Sequence, residues 1–230
     1  MRFSLLLADA DNTLLDFNAA ERAAFFALAE QYSLGADEAL FTLYRDINRR
    51  HWALLHSGQT TSAKLRVARF AEFAEAAGLP NANPREMSDF FVAALGRQGP
   101  LVNGAEQFIR RISQQMPVCI VTNGFAAVQQ ARFANSPLRP YLTDILISEN
   151  YAHAKPHPEM ILSALQRFGI ADPAQAVMIG DNEDTDIAAA VNAGIQSVLF
   201  TGIAAAPEAT RASFTTDTLA AAGDWILSEA

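Results

Sequence analysis

Cysteine is almost missing from this chain: of 230 residues only Cys119 is one, so no disulfide framework can form within it. That thiol lies inside the apolar run Val118–Val121 and is expected to be buried and inert. Basic residues are scarce too. Seventeen Lys and Arg stand against 25 Asp and Glu, a net charge of −8, and they form no cluster, which argues against a nucleic-acid surface. No apolar stretch reaches the length needed to span a bilayer. The short apolar run near the N-terminus passes straight into an acidic motif, unlike a signal peptide, so no membrane partner and a cytoplasmic location are expected. Repeats and low-complexity tracts are absent, and AAAPEATRA at 204–212 reads as a flexible loop. Half of the residues are hydrophobic, enough for a sizeable core, and the length admits one large domain or a core with an insert.

What is present begins with FSLLLADADNTLL, Phe3 to Leu15. Phe3, Leu5, Leu6 and Leu7 read as a strand buried on both faces, and it stops abruptly at Asp9-Ala10-Asp11-Asn12-Thr13. Two carboxylates at the end of a buried strand are costly unless something pairs with them. Ligands of open α/β sheets bind at that end of the strands. A divalent cation would hold Asp9 and Asp11 ionised there and let the site accept a phosphate; taken alone, the motif is equally a plain turn.

From Phe17 to Gly96 the pattern is helical. Asn18 with Glu21 resembles a capping box, and Gly35 can end that helix. Asp37 can cap a second helix carrying Leu40, Leu43, Tyr44, Ile47 and Leu54 at helical spacing. Ser62–Ala77 is a third, and Asn83-Pro84-Arg85-Glu86 opens a fourth. Four helices with short connections predict a small four-helix bundle.

From Leu101 the chain alternates. Asn103 and Glu106 open a helix, followed by strand Val118–Val121, helix Phe125–Ala134, strand Asp144–Ile147 and helix Pro158–Phe168. Strand Val177–Ile179, helix Asp184–Ala193, strand Ser197–Phe200, a weak strand Ser213–Thr215 and helix Leu219–Ser228 complete it. The expected fold is α/β, a doubly wound, Rossmann-like, mostly parallel sheet with an inserted helical domain. Residues 1–16 and 100–230 would form the core and 17–99 the insert.

Three further strand ends carry chemistry. Thr122-Asn123-Gly124 offers a hydroxyl and backbone N–H groups before a helix, which suits a phosphate oxygen. Lys155 offers an ammonium to neutralise a nucleophile and a phosphoryl group. Gly180-Asp181-Asn182-Glu183-Asp184-Thr185-Asp186 places Asp181 just beyond its strand, as Mg²⁺ with its few carboxylates would require. Glu183 and Asp184 read as exposed first-turn acids.

The ordered set DxDxT, T-N-G, K, GDxxxxD resembles the haloacid dehalogenase (HAD) superfamily of aspartyl-phosphate phosphatases over nearly the whole chain, and the helical insert resembles its small α-helical cap. Asn48–Ser62, Thr122–Gln130 and Ile147–Pro156 are similar to the pyrimidine nucleoside 5'-monophosphatase branch. The resemblance implies Asp9 as nucleophile and Asp11 as general acid/base, with an acid form favoured by desolvation as the cap closes. It implies Ala10, Asp11, Thr122, Asn123, Gly124 and Lys155 around the phosphate. Mg²⁺ would be held by Asp9, the Asp11 backbone carbonyl and Asp181, with Asp186 behind the metal or Lys155. Ala8 replaces a usual Phe, Asn12 replaces Gly, Asp or Glu, and Asn150-Tyr151-Ala152-His153 replaces the usual lead into the lysine. The expected substrate is a small phosphorylated metabolite, a nucleoside monophosphate first, with Phe17, Asn18, Trp52 and Phe125 as candidate base or sugar contacts. A sugar-phosphate phosphatase, a β-phosphoglucomutase-like mutase and a 2-haloacid dehalogenase are the alternatives; oligomeric state is left open.

Overall fold

The structure is a computed structural model that describes residues 2–35 and 37–229. In chain order, β1 (Leu5–Ala8) precedes four helices, α1 (Phe17–Gln31), α2 (Glu38–His56), α3 (Ser62–Ala76) and α4 (Pro84–Gly96). Then come α5 (Ala105–Ser113), β2 (Val118–Thr122), α6 (Ala126–Ala134), β3 (Asp144–Ile147) and α7 (Glu159–Arg167). The chain ends with β4 (Ala176–Gly180), α8 (Ala188–Ala193), β5 (Gln196–Phe200), β6 (Phe214–Thr216) and α9 (Leu219–Leu227). Two compact units result, one running to Phe17 and resuming at Gly99, the other spanning Asn18–Gln98.

Among the described residues six strands form one sheet in the order β3-β2-β1-β4-β5-β6, with every pairing parallel. Alternate residues divide between two apolar layers, as the two-residue strand period demands. Leu6, Ala8, Val118, Ile120, Val177 and Ile179 face α5 and α9 through Phe108, Ile109, Ile112, Leu219, Ala222 and Ile226. Leu5, Leu7, Cys119, Val121 and Met178 face α7 and α8 through Met160, Ile161, Ala164, Ala189 and Ala190. This two-sided burial explains why the strands read as unbroken apolar runs. Burial also pushes the Cys119 thiol up, away from thiolate reactivity. Strand order reverses beside β1, so the crevice at the carboxyl ends of β1, β2 and β4 is where a doubly wound sheet receives ligands.

The helical unit is organised on aromatic rings. Tyr44 packs on Phe25 and Phe91, each at 5.2 Å, and on Phe70 at 5.7 Å; each buried ring of this kind contributes roughly 1.5–3 kcal/mol. Two of its helix starts follow the caps read from the sequence: Asp37 accepts from Ala39 N at 2.7 Å and Asn83 from Arg85 N at 3.0 Å; the third helix is capped by Thr61, which accepts from Lys64 N. The first helix departs from its expected cap. Asn18 is no cap, since α1 already begins at Phe17 and Asn12 Oδ1 accepts the Phe17 N–H at 3.1 Å. Glu21 turns inward instead and accepts from Asn48 Nδ2 at 2.8 Å, while Asn48 Oδ1 accepts from Arg69 Nη1 at 2.8 Å. Leu54, counted as a core position from its spacing, is exposed. In the sheet unit α5 starts after Gly104, whose φ of 83° only glycine adopts freely, rather than at Asn103.

Candidate active site

The ladder of β1 runs one residue past the strand: Asp9 N donates to Ile179 O at 2.9 Å. This fixes Asp9 at the mouth of the crevice, 7% exposed. Beyond it Asn12 holds φ at 60°, a left-handed conformation that asparagine tolerates better than most residues. Ala10 is buried, and its carbonyl accepts from Leu14 and Leu15, which closes the turn.

Lys155 lies at the centre. Its buried ammonium donates to Asp9 Oδ1 at 2.6 Å, Asp186 Oδ1 at 2.7 Å and Val121 O at 2.7 Å. Three protons meet three acceptors, so the lysine serves the site through its charge and by orienting Asp9. Its backbone is held by the Asn123 side chain, which accepts from Lys155 N and donates to Lys155 O, both at 2.9 Å. Asn123 thus joins the loop after β2 to the loop after β3.

Asp186 reaches Lys155 because of how the chain leaves β4. Gly180 carries no Cβ; one there would fall 2.3 Å from the Cβ of Asp186. The residues Glu183–Ile187 form a π-helical turn before α8, where a continuous helix over Asp184–Ala193 was expected. Asn182 caps it, accepting from Asp184 N and Thr185 N, and its own N–H donates to Asp186 Oδ2 at 3.1 Å. Glu183 is not an exposed first-turn acid. It accepts from Thr210 Oγ1 at 2.7 Å and from Arg211 N and Nε at 3.1 and 3.0 Å, which ties the 204–212 loop to this turn.

Oxygens of Asp9, Asp181 and Asp186 all lie within 4.8 Å of one another. One ammonium faces three carboxyl groups. Burial, then repulsion from Asp186, lifts Asp181 to about 7. Burial raises Asp9 well above the usual carboxylate range, with Lys155 opposing and Asp186, Asp181 and Asp11 adding to the rise. For Lys155 burial works against the charge, but Asp186 and Asp9 outweigh it and keep it above the ordinary lysine range. Hard oxygen donors with surplus negative charge fit a small divalent cation such as Mg²⁺.

A raised carboxyl pKa means that the folded chain retains protons which the unfolded chain releases. Without a divalent cation, the stability that Asp181 contributes is therefore full below the ordinary carboxylate range of about 4 and is lost as pH climbs through about 7. Thermal melts in EDTA are expected to fall between about pH 5 and pH 8. Added Mg²⁺ should raise the midpoint more at the upper pH, where a hundredfold excess over its dissociation constant stabilises the fold by roughly 3 kcal/mol. A pH-independent midpoint, or an equal Mg²⁺ effect at both ends, would contradict a cation site here.

On the other side of Asp9, Thr122 ends β2 and is 1% exposed. Its Oγ1 accepts from Gly124 N at 3.1 Å and Gln129 Nε2 at 3.2 Å, which uses both lone pairs and leaves the hydroxyl proton to donate. Asp11 is held by two residues that the sequence reading did not single out: Arg132 Nη1 donates to Oδ1, and Gln129 Nε2 to Oδ2 at 2.8 Å. Their signal was available, since they stand three apart on one face of the helix that follows T-N-G. Of the proposed base or sugar contacts, Phe125 precedes α6 and is buried, while Asn18 and Trp52 belong to the helical unit.

The sequence profile of the haloacid dehalogenase-like hydrolases matches residues 3–194. The pyrimidine 5'-nucleotidase YjjG of Escherichia coli (strain K12) is 30% identical over 195 residues, covering 85% of this chain and 84% of that protein. The pyrimidine 5'-nucleotidase PynA of Streptococcus pneumoniae (strain ATCC BAA-255 / R6) is 29% identical, covering 87% and 84%. Among solved structures, the HAD-hydrolase YfnB of Bacillus subtilis, described as bound to magnesium and showing interdomain movement, superposes with a TM-score of 0.90. It is 25% identical and covers 99% of this chain and 100% of its own.

Proposed function

Because the chain belongs to the haloacid dehalogenase-like hydrolases, we propose that it is a Mg²⁺-dependent phosphomonoesterase that uses Asp9 as nucleophile, with pyrimidine nucleoside 5'-monophosphates as its substrates. The observation that carries this reading is the Lys155 ammonium bonded at once to Asp9 and Asp186 inside a three-carboxylate cluster. A carboxylate repels a phosphate dianion, so it can attack only where positive charge is stored beside it.

Asp9 commits Oδ1 to Lys155 and keeps Oδ2 for the reaction. Its attack on phosphorus forms an aspartyl-phosphate while the ester P–O bond breaks, dividing one difficult displacement into two. Asp11 gives a proton to the departing oxygen and then takes one from the water that cleaves the Asp9–phosphorus bond. Thr122 donates its hydroxyl proton to a phosphate oxygen, and the backbone N–H groups of Ala10, Asp11 and Asn123 complete the cradle, with Gly124 N held on Thr122 Oγ1. Asp9, Asp181 and the Asp11 carbonyl would hold Mg²⁺, which supplies charge neutralisation for the phosphoryl group; Asp186 would fix Lys155. The inserted helices serve as a cap that excludes water and reads the leaving group through Phe17, Asn18, Trp52 or Phe125. Their place in the chain, directly after the Asp9 motif, supports this, as does the interdomain movement described for YfnB.

A panel of phosphomonoesters assayed with Mg²⁺ tests the proposal. Turnover of dUMP, UMP and dTMP ahead of sugar phosphates is the expected result. A preference for sugar phosphates would overturn the substrate class, and failure to hydrolyse any ester would overturn the reaction.

A further inference from the structure

Arg132 and Gln129 stand outside the four sequence motifs, yet both side chains end on Asp11. Arg132 is fully buried at the side chain, whereas the Asp11 carboxylate it meets is 27% exposed. A buried guanidinium is costly without a partner, so the ion pair is a built feature rather than a surface encounter. Gln129, 1% exposed, shares one amide nitrogen between Asp11 Oδ2 at 2.8 Å and Thr122 Oγ1 at 3.2 Å. Its Oε1 is buried with no hydrogen-bond partner among the described residues. The amide is therefore placed for its donor end and not for its own satisfaction. Gly124 makes room for it, since a Cβ there would lie 2.2 Å from Gln129 Nε2.

We propose that Arg132 and Gln129 are positioning residues that fix the Asp11 carboxyl group for proton exchange with the leaving-group oxygen, Gln129 coupling it to Thr122 on the phosphate side. The inference rests on the phosphatase reading above. As an Asp9 oxygen bonds to phosphorus, the ester P–O bond breaks, and its electron pair leaves with the ester oxygen, which takes the proton that Asp11 carries. An Asp11 side chain held at both oxygens stays aligned with that path; a loose one must find it by rotation. Helix α6 then sets both halves of the site, the Thr122 hydroxyl and the Asp11 carboxyl.

The test compares kcat/KM, which reports events up to leaving-group departure, for an alkyl ester (UMP) and p-nitrophenyl phosphate, both with Mg²⁺. The nitrophenolate departs without a proton. Arg132→Met is expected to lower the alkyl value by about 10²-fold and the aryl value far less, with Arg132→Lys recovering part of the alkyl loss. Gln129→Leu, which leaves the Arg132 charge in place, is expected to show the same selectivity at about tenfold and stands in if Arg132→Met does not fold. Equal losses on both esters in the folded variants would overturn the positioning role. A wild-type protein that hydrolyses neither ester would overturn the phosphatase reading instead, so the two failures are distinct.

Discussion

Asp9→Asn is expected to lower phosphatase turnover by about 10⁴-fold or more while leaving the protein at least as stable as before. The two effects run in opposite directions for one reason. Asp9 is buried beside Asp181 and Asp186, and burial and repulsion together disfavour its charge. An amide of the same shape removes that repulsion and can still accept from Lys155, which retains Asp186 and Val121 O as partners. Losing the nucleophile thus relieves the fold, a stability–activity conflict seen where a site stores like charges. Assays with Mg²⁺ and melts in EDTA, both near pH 8, check the two halves. Retained turnover would remove Asp9 from the chemistry, and a large drop in melting temperature would make it a structural residue.

Lys155→Met is expected to fail on both counts. It deletes three hydrogen bonds and leaves Asp9 and Asp186 buried against each other without a counter-charge. Removing one partner of a buried pair costs about 3–5 kcal/mol. For a chain of this size each kcal/mol moves the melting temperature by about 2–4 °C, so a loss of roughly 10 °C is expected near neutral pH. The deficit should shrink as pH falls and the carboxyl groups take up protons. A variant melting within about 2 °C of the parent at pH 7 would show that the ammonium does not hold these loops together. Activity with Mg²⁺ should fall with it, because the ammonium that orients Asp9 and offsets its charge is gone.

The central strands were legible in the sequence because β1, β2 and β4 are buried on both faces and therefore written as apolar runs. Even the short strand β6 appeared within a residue of its place. The site's loops were legible because polar residues at the end of such runs have no business in a core. What the sequence concealed is side-chain direction. Glu21 and Asn48 sit at positions where helix-surface polar residues are the rule, and only packing turns them toward Arg69. Arg132 and Gln129 share a face of the helix after T-N-G, but nothing local shows that this face meets Asp11 across 121 and 118 residues of chain. Glu183 looked like a dipole-complementing acid; its partner Arg211 lies 28 residues on, in a loop with no periodic signal. Local pattern reports which face a residue occupies, and long-range pairing decides what it does there.

The widened turn at Glu183–Ile187 restricts how this chain can vary in length. Successive residues of an α-helix are rotated by about 100° around its axis. Deleting one residue between Gly180 and Ala188 would swing the Asp186 carboxylate off Lys155, and inserting one would swing it the other way. The connection between α3 and α4, far from these carboxylates in the chain, carries no such constraint. Related sequences that keep this chemistry should therefore gain and lose residues freely around 79–82 and hold the spacing from Gly180 to Asp186 fixed.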